Sequence, residues 1–290
     1  MDVRTRTRSR YSRRFWPASR GDRALGLSAA VLAVLLAVFF ILPFVALVWR
    51  ALTLEGQVAA GDLSIVSAVV LSLGTTAAAA ALIVLLGTPL AYFLARGRFP
   101  FKRALSVLVE LPIVMPPVVA GLALLSAFGR RGLVGMPLAE LGFTIPFTTL
   151  AVVLAQVFVS APFYIRAAQS RFETVPREYE DAAAVDGASR WAIFRLVILP
   201  QSSRALVGGL ILSWARALGE FGATLLFAGN LQGRTQTMPL LVYGALERDL
   251  RITFITALIL LGLAAAAFLL TRWLSGADID EDGDFSAGSG

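Results

Sequence analysis

The 290-residue chain has no cysteine and no histidine. Without cysteine there is no disulfide framework, no thiolate metal site and no cysteine nucleophile. Without histidine the commonest metal ligand and general base are missing too. Charge is scarce: Asp, Glu, Lys and Arg make up 16% of the residues, where a soluble domain carries about 25%. Lysine occurs once, at Lys102, and Phe101 precedes it, so no Gly-x-x-x-x-Gly-Lys-Ser/Thr phosphate loop exists. The chain is expected to hold no catalytic residue, no metal and no cofactor, and not to hydrolyse ATP by itself.

Apolar residues are abundant: 57% of the chain is hydrophobic and the mean hydropathy is +0.75. A bilayer-crossing helix needs about 20 such residues. Six runs qualify, near Ala24–Trp49, Ser64–Ala95, Ala104–Phe128, Phe147–Gln169, Ser203–Gly229 and Ile252–Trp273. The chain is therefore expected to be an all-α polytopic membrane protein with six spans over 24–274. The alanine run Ala77 to Ala81 in the second span suits close helix contact. The first run is too long for the core of a cleaved signal, although Ser12-Arg13-Arg14-Phe15 faintly resembles a twin-arginine signal. A retained helix is expected.

The net charge of +7 comes almost wholly from arginine between the apolar runs, which reads as topology rather than nucleic-acid binding. The arm 1–23 carries eight arginines. A second basic loop holds Arg96, Arg98, Lys102 and Arg103, and Ser170–Ser202 holds Arg171, Arg177, Arg190 and Arg195. The intervening loops are poorer in positive charge. The positive-inside rule then places both termini and the Ser170–Ser202 loop in the cytoplasm of a cell with this chain in its inner membrane. The tail 275–290 is acidic and Gly/Ser-rich, and is expected to be solvated and disordered.

Two spans carry unusual residues. In the third, Pro112, Pro116 and Pro117 remove backbone donors. They mark either a structural kink or a discontinuous helix beside a conduit. In the fifth, Arg216 and Glu220 stand four apart, so they are expected to share one helical face. Gly219, Gly222 and Thr224 keep that neighbourhood small or polar. The pair is either a structural ion pair joining helices or the lining of a conduit or gate, where Arg216 and exposed glycine amides would attract an anion.

The Ser170–Ser202 loop has a pattern of its own. Pro176 followed by Glu178, Glu180 and Asp181 is a helix start, and Gly187 can end that helix. Trp191, Phe194 and Leu196–Leu199 form a second apolar segment punctuated by Pro200. Two short helices joined at a glycine, too apolar for free solution, call for a partner. The spacing resembles the EAA signature of binding-protein-dependent ABC importer permeases. Asp181-Ala182-Ala183, three residues, Gly187, nine residues, Val197, one residue, then Leu199-Pro200 match it, with Asp181 in place of Glu and Val197 in place of Ile. The resemblance implies the MetI-like permease fold and makes this loop, with Glu180, the docking element for a separate cytoplasmic ATP-binding subunit that carries ATP and magnesium.

Arg216-Ala217-Leu218-Gly219-Glu220-Phe221-Gly222-Ala223-Thr224, with Pro116-Pro117-Val118-Val119-Ala120-Gly121 and Thr235-Gln236-Thr237-Met238-Pro239-Leu240, is similar to permeases of molybdate/tungstate importers. Sulfate/thiosulfate permeases share a related fifth-span motif. This resemblance implies a homodimer with the conduit on its two-fold axis, an extracytoplasmic oxyanion-binding protein, and Arg216, Gly219, Glu220, Gly222, Thr224, Pro116 and Pro117 near the substrate path. A secondary transporter using Arg216 and Glu220 as working charges is the alternative from another class, and it has no need of a docking loop.

Overall fold

The computed structural model describes residues 20–54 and 63–276. Most of the expected basic arm, 1–19, and most of the acidic tail, 277–290, lie outside the described residues. The described secondary structure is helical: α1 (Arg20–Thr53), α2 (Leu63–Arg96), α3 (Lys102–Val114), α4 (Pro117–Phe128), α5 (Gly135–Glu140) and α6 (Thr149–Thr174). There follow α7 (Arg177–Val185), α8 (Arg190–Ile193), a π-helical turn at Phe194–Ile198, α9 (Leu199–Leu218), α10 (Gly222–Ala228), α11 (Met238–Leu246) and α12 (Leu250–Gly276). α1 falls in a unit of its own, and the other helices form the second.

In the second unit, α6 is the central helix, packed against both α2 and α9. The core between them contains Ile83, Leu94, Tyr164, Phe172, Ile198 and Leu206. Small residues set the spacing: a Cβ at Gly209 on α9 would stand 2.7 Å from the Ala167 Cβ on α6, which is how helices approach closely in lipid. Of the alanine run on α2, Ala79 is buried. Side-chain hydrogen bonds add polar ties. Trp214 Nε1 donates to Thr76 Oγ1 at 3.0 Å, Ser213 Oγ to the Ser160 carbonyl at 2.8 Å, and the Met238 N–H at the start of α11 to Ser72 Oγ at 2.8 Å. Each such tie contributes about 0.6 kcal/mol on average within a membrane.

Among the described residues four helical stretches are long and apolar enough to cross a bilayer: Ser28–Thr53, Ser64–Arg96, Thr149–Thr174 and Arg190–Leu218. The expected third span is not one helix. Met115 and Pro116 are extended, with ψ of 134° at each, between α3 and α4. Each precedes a proline ring, which disfavours the helical backbone just before it, and Pro117 then opens α4 at the position where its missing N–H costs nothing. The twelve residues of α4 span about 18 Å, short of a hydrocarbon core of about 30 Å, so only α3 and α4 together can reach across.

The fifth span also differs from expectation. It is not continuous over Ser203–Gly229: α9 starts earlier and stops at Leu218, and α10 begins at Gly222. Nor does Pro200 end the preceding segment, because Arg190–Leu218 runs on as one stretch. Proline in a helix removes a bond to the carbonyl four residues back and crowds it. The π-helical turn just before Pro200, in which the Leu199 N–H reaches the Phe194 carbonyl, widens the helix where the ring enters.

Candidate functional site

Two constellations hold the residues that the sequence singles out. The first is the loop between α6 and α9. α7 ends in a glycine-dependent cap. Gly187 has φ +83°, its N–H meets the Ala184 carbonyl at 3.0 Å, and the Ala188 N–H meets the Ala183 carbonyl at 2.9 Å. That pair of bonds is the Schellman arrangement, and it fixes the turn between α7 and α8. Ser189 then caps α8, its Oγ accepting from the Ala192 N–H at 3.2 Å.

Consecutive residues on a helix point about 100° apart, and the two alanines of the motif are used differently. Ala183 packs on the core, as do Val197 and Leu199 from the following turn. Asp181 and Ala182 are exposed, and so are Gly187 and Pro200. Only Ala182 of the pair can therefore accommodate the close approach of another protein. Beside them Tyr179, Val185, Trp191 and Leu196 leave large apolar side chains uncovered, Val185 at 88% exposure.

Glu180 faces inward. It forms an ion pair with Arg96, the last residue of α2, at 2.6 Å, and a second Arg96 contact runs from Nη2 to the Val175 carbonyl at 2.7 Å. In the sequence Arg96 is one more loop charge, since nothing local signals a partner so far along the chain. With both side chains largely buried, Arg96→Gln is expected to lower stability by about 1–3 kcal/mol, measurable as earlier thermal unfolding of the detergent-purified protein.

The second constellation joins the two helix breaks. A Cβ at Gly222 would lie 2.7 Å from the Pro117 Cβ, and one at Gly121 would lie 2.8 Å from the Leu226 Cβ and 3.1 Å from the Ala223 Cα. The breaks at Met115–Pro116 and Gly219–Phe221 thus meet, and α4 and α10 run on from there in contact. Glu220 lies in the break rather than on a helix shared with Arg216, yet the pair forms: Arg216 Nη1 donates to Glu220 Oε2 at 2.7 Å. The other oxygen, Oε1, accepts from the Ala223 N–H at 2.8 Å. The carboxylate therefore neutralises Arg216 and caps the positive end of α10 together. Glu220 is 1% exposed, whereas the Arg216 side chain keeps 30%. Gly219 is exposed, and Thr224 is buried in the first turn of α10 with its hydroxyl unpaired among the described residues.

A further pair is not evident in the sequence: Arg166 on α6 and Glu110 on α3, with Nη1 to Oε1 at 2.9 Å. A lone charge inside each apolar run was the available signal. No group of His, Cys, Asp and Glu side chains suited to a metal occurs among the described residues.

Comparison with known proteins gives consistent matches. Residues 87–277 match the family model described as binding-protein-dependent transport system inner membrane component. The molybdenum transport system permease protein ModB of Mycobacterium tuberculosis is 45% identical over 207 residues, covering 69% of this chain and 78% of the relative. The sulfate transport system permease protein CysT of Escherichia coli is 38% identical over 199 residues, 69% of each chain. Among solved structures, a bacterial ABC transporter that imports the acidic polysaccharide alginate superposes with a TM-score of 0.69 at 15% identity, over 88% of this chain and 96% of its own. The MetNI methionine ABC transporter gives 0.59 at 16% identity, over 76% and 99%.

Proposed function

The chain belongs to the family of binding-protein-dependent transport system inner membrane components, the permeases of ABC importers, and from that premise we propose that it carries molybdate or tungstate inward. The similarity to a molybdenum permease at 45% identity is the observation that carries the choice of substrate. Several apolar helices make it a membrane permease, and the reading gives it six spans with both termini in the cytoplasm.

In this reading two copies enclose the conduit, and two ATP-binding subunits dock on α7 and α8. A solute-binding protein delivers the oxyanion from outside. ATP hydrolysis belongs to the docked subunits. The exposed edge of Asp181, Ala182 and Gly187 is the docking surface. The inward side of the same helix, through Ala183 and the Glu180–Arg96 pair, passes movement to α2 and α9. A helix clamped on one face and bare on the other is suited to transmit force. The Gly222–Pro117 contact supports a role near the conduit for the two breaks, since non-helical backbone at membrane depth is tolerated only where protein or a wet cavity surrounds it.

The test is uptake into vesicles containing the chain with its ATP-binding subunit and binding protein. Molybdate and tungstate are expected to accumulate in an ATP-dependent way, and sulfate at least about tenfold less, a difference of about 1.4 kcal/mol. Preferential sulfate uptake would replace the substrate with the one suggested by the CysT similarity. Uptake by the isolated chain without ATP would make it a secondary transporter.

A further inference from the structure

We propose that the surface shared by α3, α6 and α9 is the water-filled wall of the conduit, and that Arg166, held by Glu110, is an anion-handling residue on it. This rests on the importer reading above and names which face of the helices that reading uses. Arg166 lies eight positions before the end of α6, and Glu110 eight positions after the start of α3. At 1.5 Å per residue both stand about 12 Å inside the helix ends nearest the α7 loop. The Arg166 side chain is nevertheless 60% exposed, and Glu110 35%. Charges exposed at such depth avoid acyl chains and face a wet cavity or another protein. Snorkelling does not account for the pair: a snorkelling arginine turns toward the interface, whereas Arg166 turns across to a carboxylate at its own depth.

On α6 and at the loop end of α9 the face carries further polar groups, while Val107, Leu111 and Val114 leave its α3 side apolar. Ser170 and Thr174 continue the exposed side of α6. Arg171 reaches over to α9, with Nε and Nη2 donating to the Gln201 carbonyl at 3.1 and 2.8 Å. Between α6 and α9 lies a crevice of about 490 Å³, lined by Ala167, Ser170, Arg171, Thr174, Gly208 and Leu212. Gly208, Leu212 and Arg216 follow one another at intervals of four on α9, so Arg216 continues this row deeper into the bundle. Counted along their helices, Arg171, Arg166 and Arg216 thus stand about 5, 12 and 26 Å from the loop end, and Arg204 opens the α9 row at about 8 Å. The other side of α9 differs in its deeper part. There a groove of about 1360 Å³ carries its charged residues, Arg96, Glu180 and Arg190, at the loop end; deeper in, Val84, Leu85, Val207 and Leu210 stand beside the Thr88 and Tyr164 hydroxyls, which bond each other at 2.7 Å, and no charged side chain lines it at the depth of Arg166.

A bare arginine would hold a dianion too long for transport, because charge-assisted bonds to guanidinium are strong. Glu110 offers Arg166 a competing carboxylate. The passing oxyanion takes the guanidinium N–H groups while Glu110 turns to water, and the carboxylate returns to displace the anion inward. Glu220 does not serve Arg216 in this way, since its second oxygen is fixed by the Ala223 N–H.

The natural absence of cysteine allows a direct test in the full complex with ATP-binding subunit and binding protein. Single variants Ser170→Cys and Leu85→Cys are treated with a charged, membrane-impermeant thiol reagent. Ser170→Cys is expected to react at least about tenfold faster, because only thiols in contact with water ionise readily, and equal or reversed rates overturn the assignment. Arg166→Gln is expected to lower molybdate uptake by about tenfold or more, with Arg166→Lys retaining most of it, as expected for one lost charge-assisted bond. The double exchange Glu110→Arg with Arg166→Glu keeps a pair but moves the positive charge to α3, and it is expected to assemble without transporting. Wild-type uptake by that exchange means a purely structural pair and overturns the proposal. The thiol pattern does not depend on the anion. If none of molybdate, tungstate or sulfate is taken up while Ser170→Cys still reacts faster, the substrate reading fails and the wall stands.

Discussion

Gly187→Val is expected to abolish ATP-driven transport while leaving membrane insertion and complex purification intact. The reason is local. Gly187 has φ +83°, a left-handed conformation that costs an L-residue about 1–2 kcal/mol, with β-branched residues the worst placed. A Cβ there meets nothing within 4 Å, so within this chain the penalty is one of backbone conformation alone. Valine relieves it by abandoning the left-handed turn. The Gly187 and Ala188 N–H bonds to the Ala184 and Ala183 carbonyls are then lost, and α8 no longer follows α7 at the same angle. Because Ala183 and Val197 pack on the core from either side of the turn, the reorientation reaches both ends of the proposed docking element. Gly187→Asn serves as the control, since asparagine tolerates the left-handed region far better. Measured in reconstituted complexes, the valine variant is expected to keep some ATP hydrolysis without uptake, and the asparagine variant to keep much of both. Normal uptake by the valine variant would remove the loop from the coupling path.

Glu220→Ala is expected to be the most damaging single change to the stability of the bundle. It deletes the counter-charge of Arg216 and the cap of the Ala223 N–H together. Orphaning a buried charge costs about 3–5 kcal/mol, and the 30% exposure that Arg216 retains places this case toward the lower figure. Glu220→Gln separates the two functions. Its amide oxygen can still accept from the Ala223 N–H, while the charge on Arg216 goes unneutralised. The glutamine variant is therefore expected to unfold at a temperature between those of wild type and Glu220→Ala. If the two variants prove equally stable in detergent, the cap contributes nothing and the ion pair alone fixes the break.

Much of the protein is legible in one dimension. The shortage of charge and the length of the apolar runs assign the membrane class without any contact being known. Pro116 and Pro117 mark the interruption of the third run, because a proline ring acts on its immediate neighbours. The helix start at Pro176 and its end at Gly187 follow from residues within a turn of the event. Apolar length is a blunter guide, and the fifth run shows why. Leu218 to Ala228 is hydrophobic enough to read as uninterrupted helix, yet the chain leaves the helix at Gly219 and restarts at Gly222. That choice depends on Glu220 satisfying both Arg216 and an amide of the next helix, and on Gly222 fitting against Pro117.

What the sequence determined by itself is therefore the set of events driven by near neighbours: membrane partition, the proline break, the glycine-capped turn and the four-residue spacing of Arg216 and Glu220. The tertiary structure alone decided which charges meet across helices, as Arg96 does with Glu180 and Arg166 with Glu110. It also decided that the two breaks touch, and that Ala183 turns inward while Ala182 stays bare. The physical reason is range. Backbone sterics and hydrophobic partition act through a few adjacent residues. An ion pair or a close backbone contact between helices exists only once packing has fixed their separation and rotation to within an ångström or so.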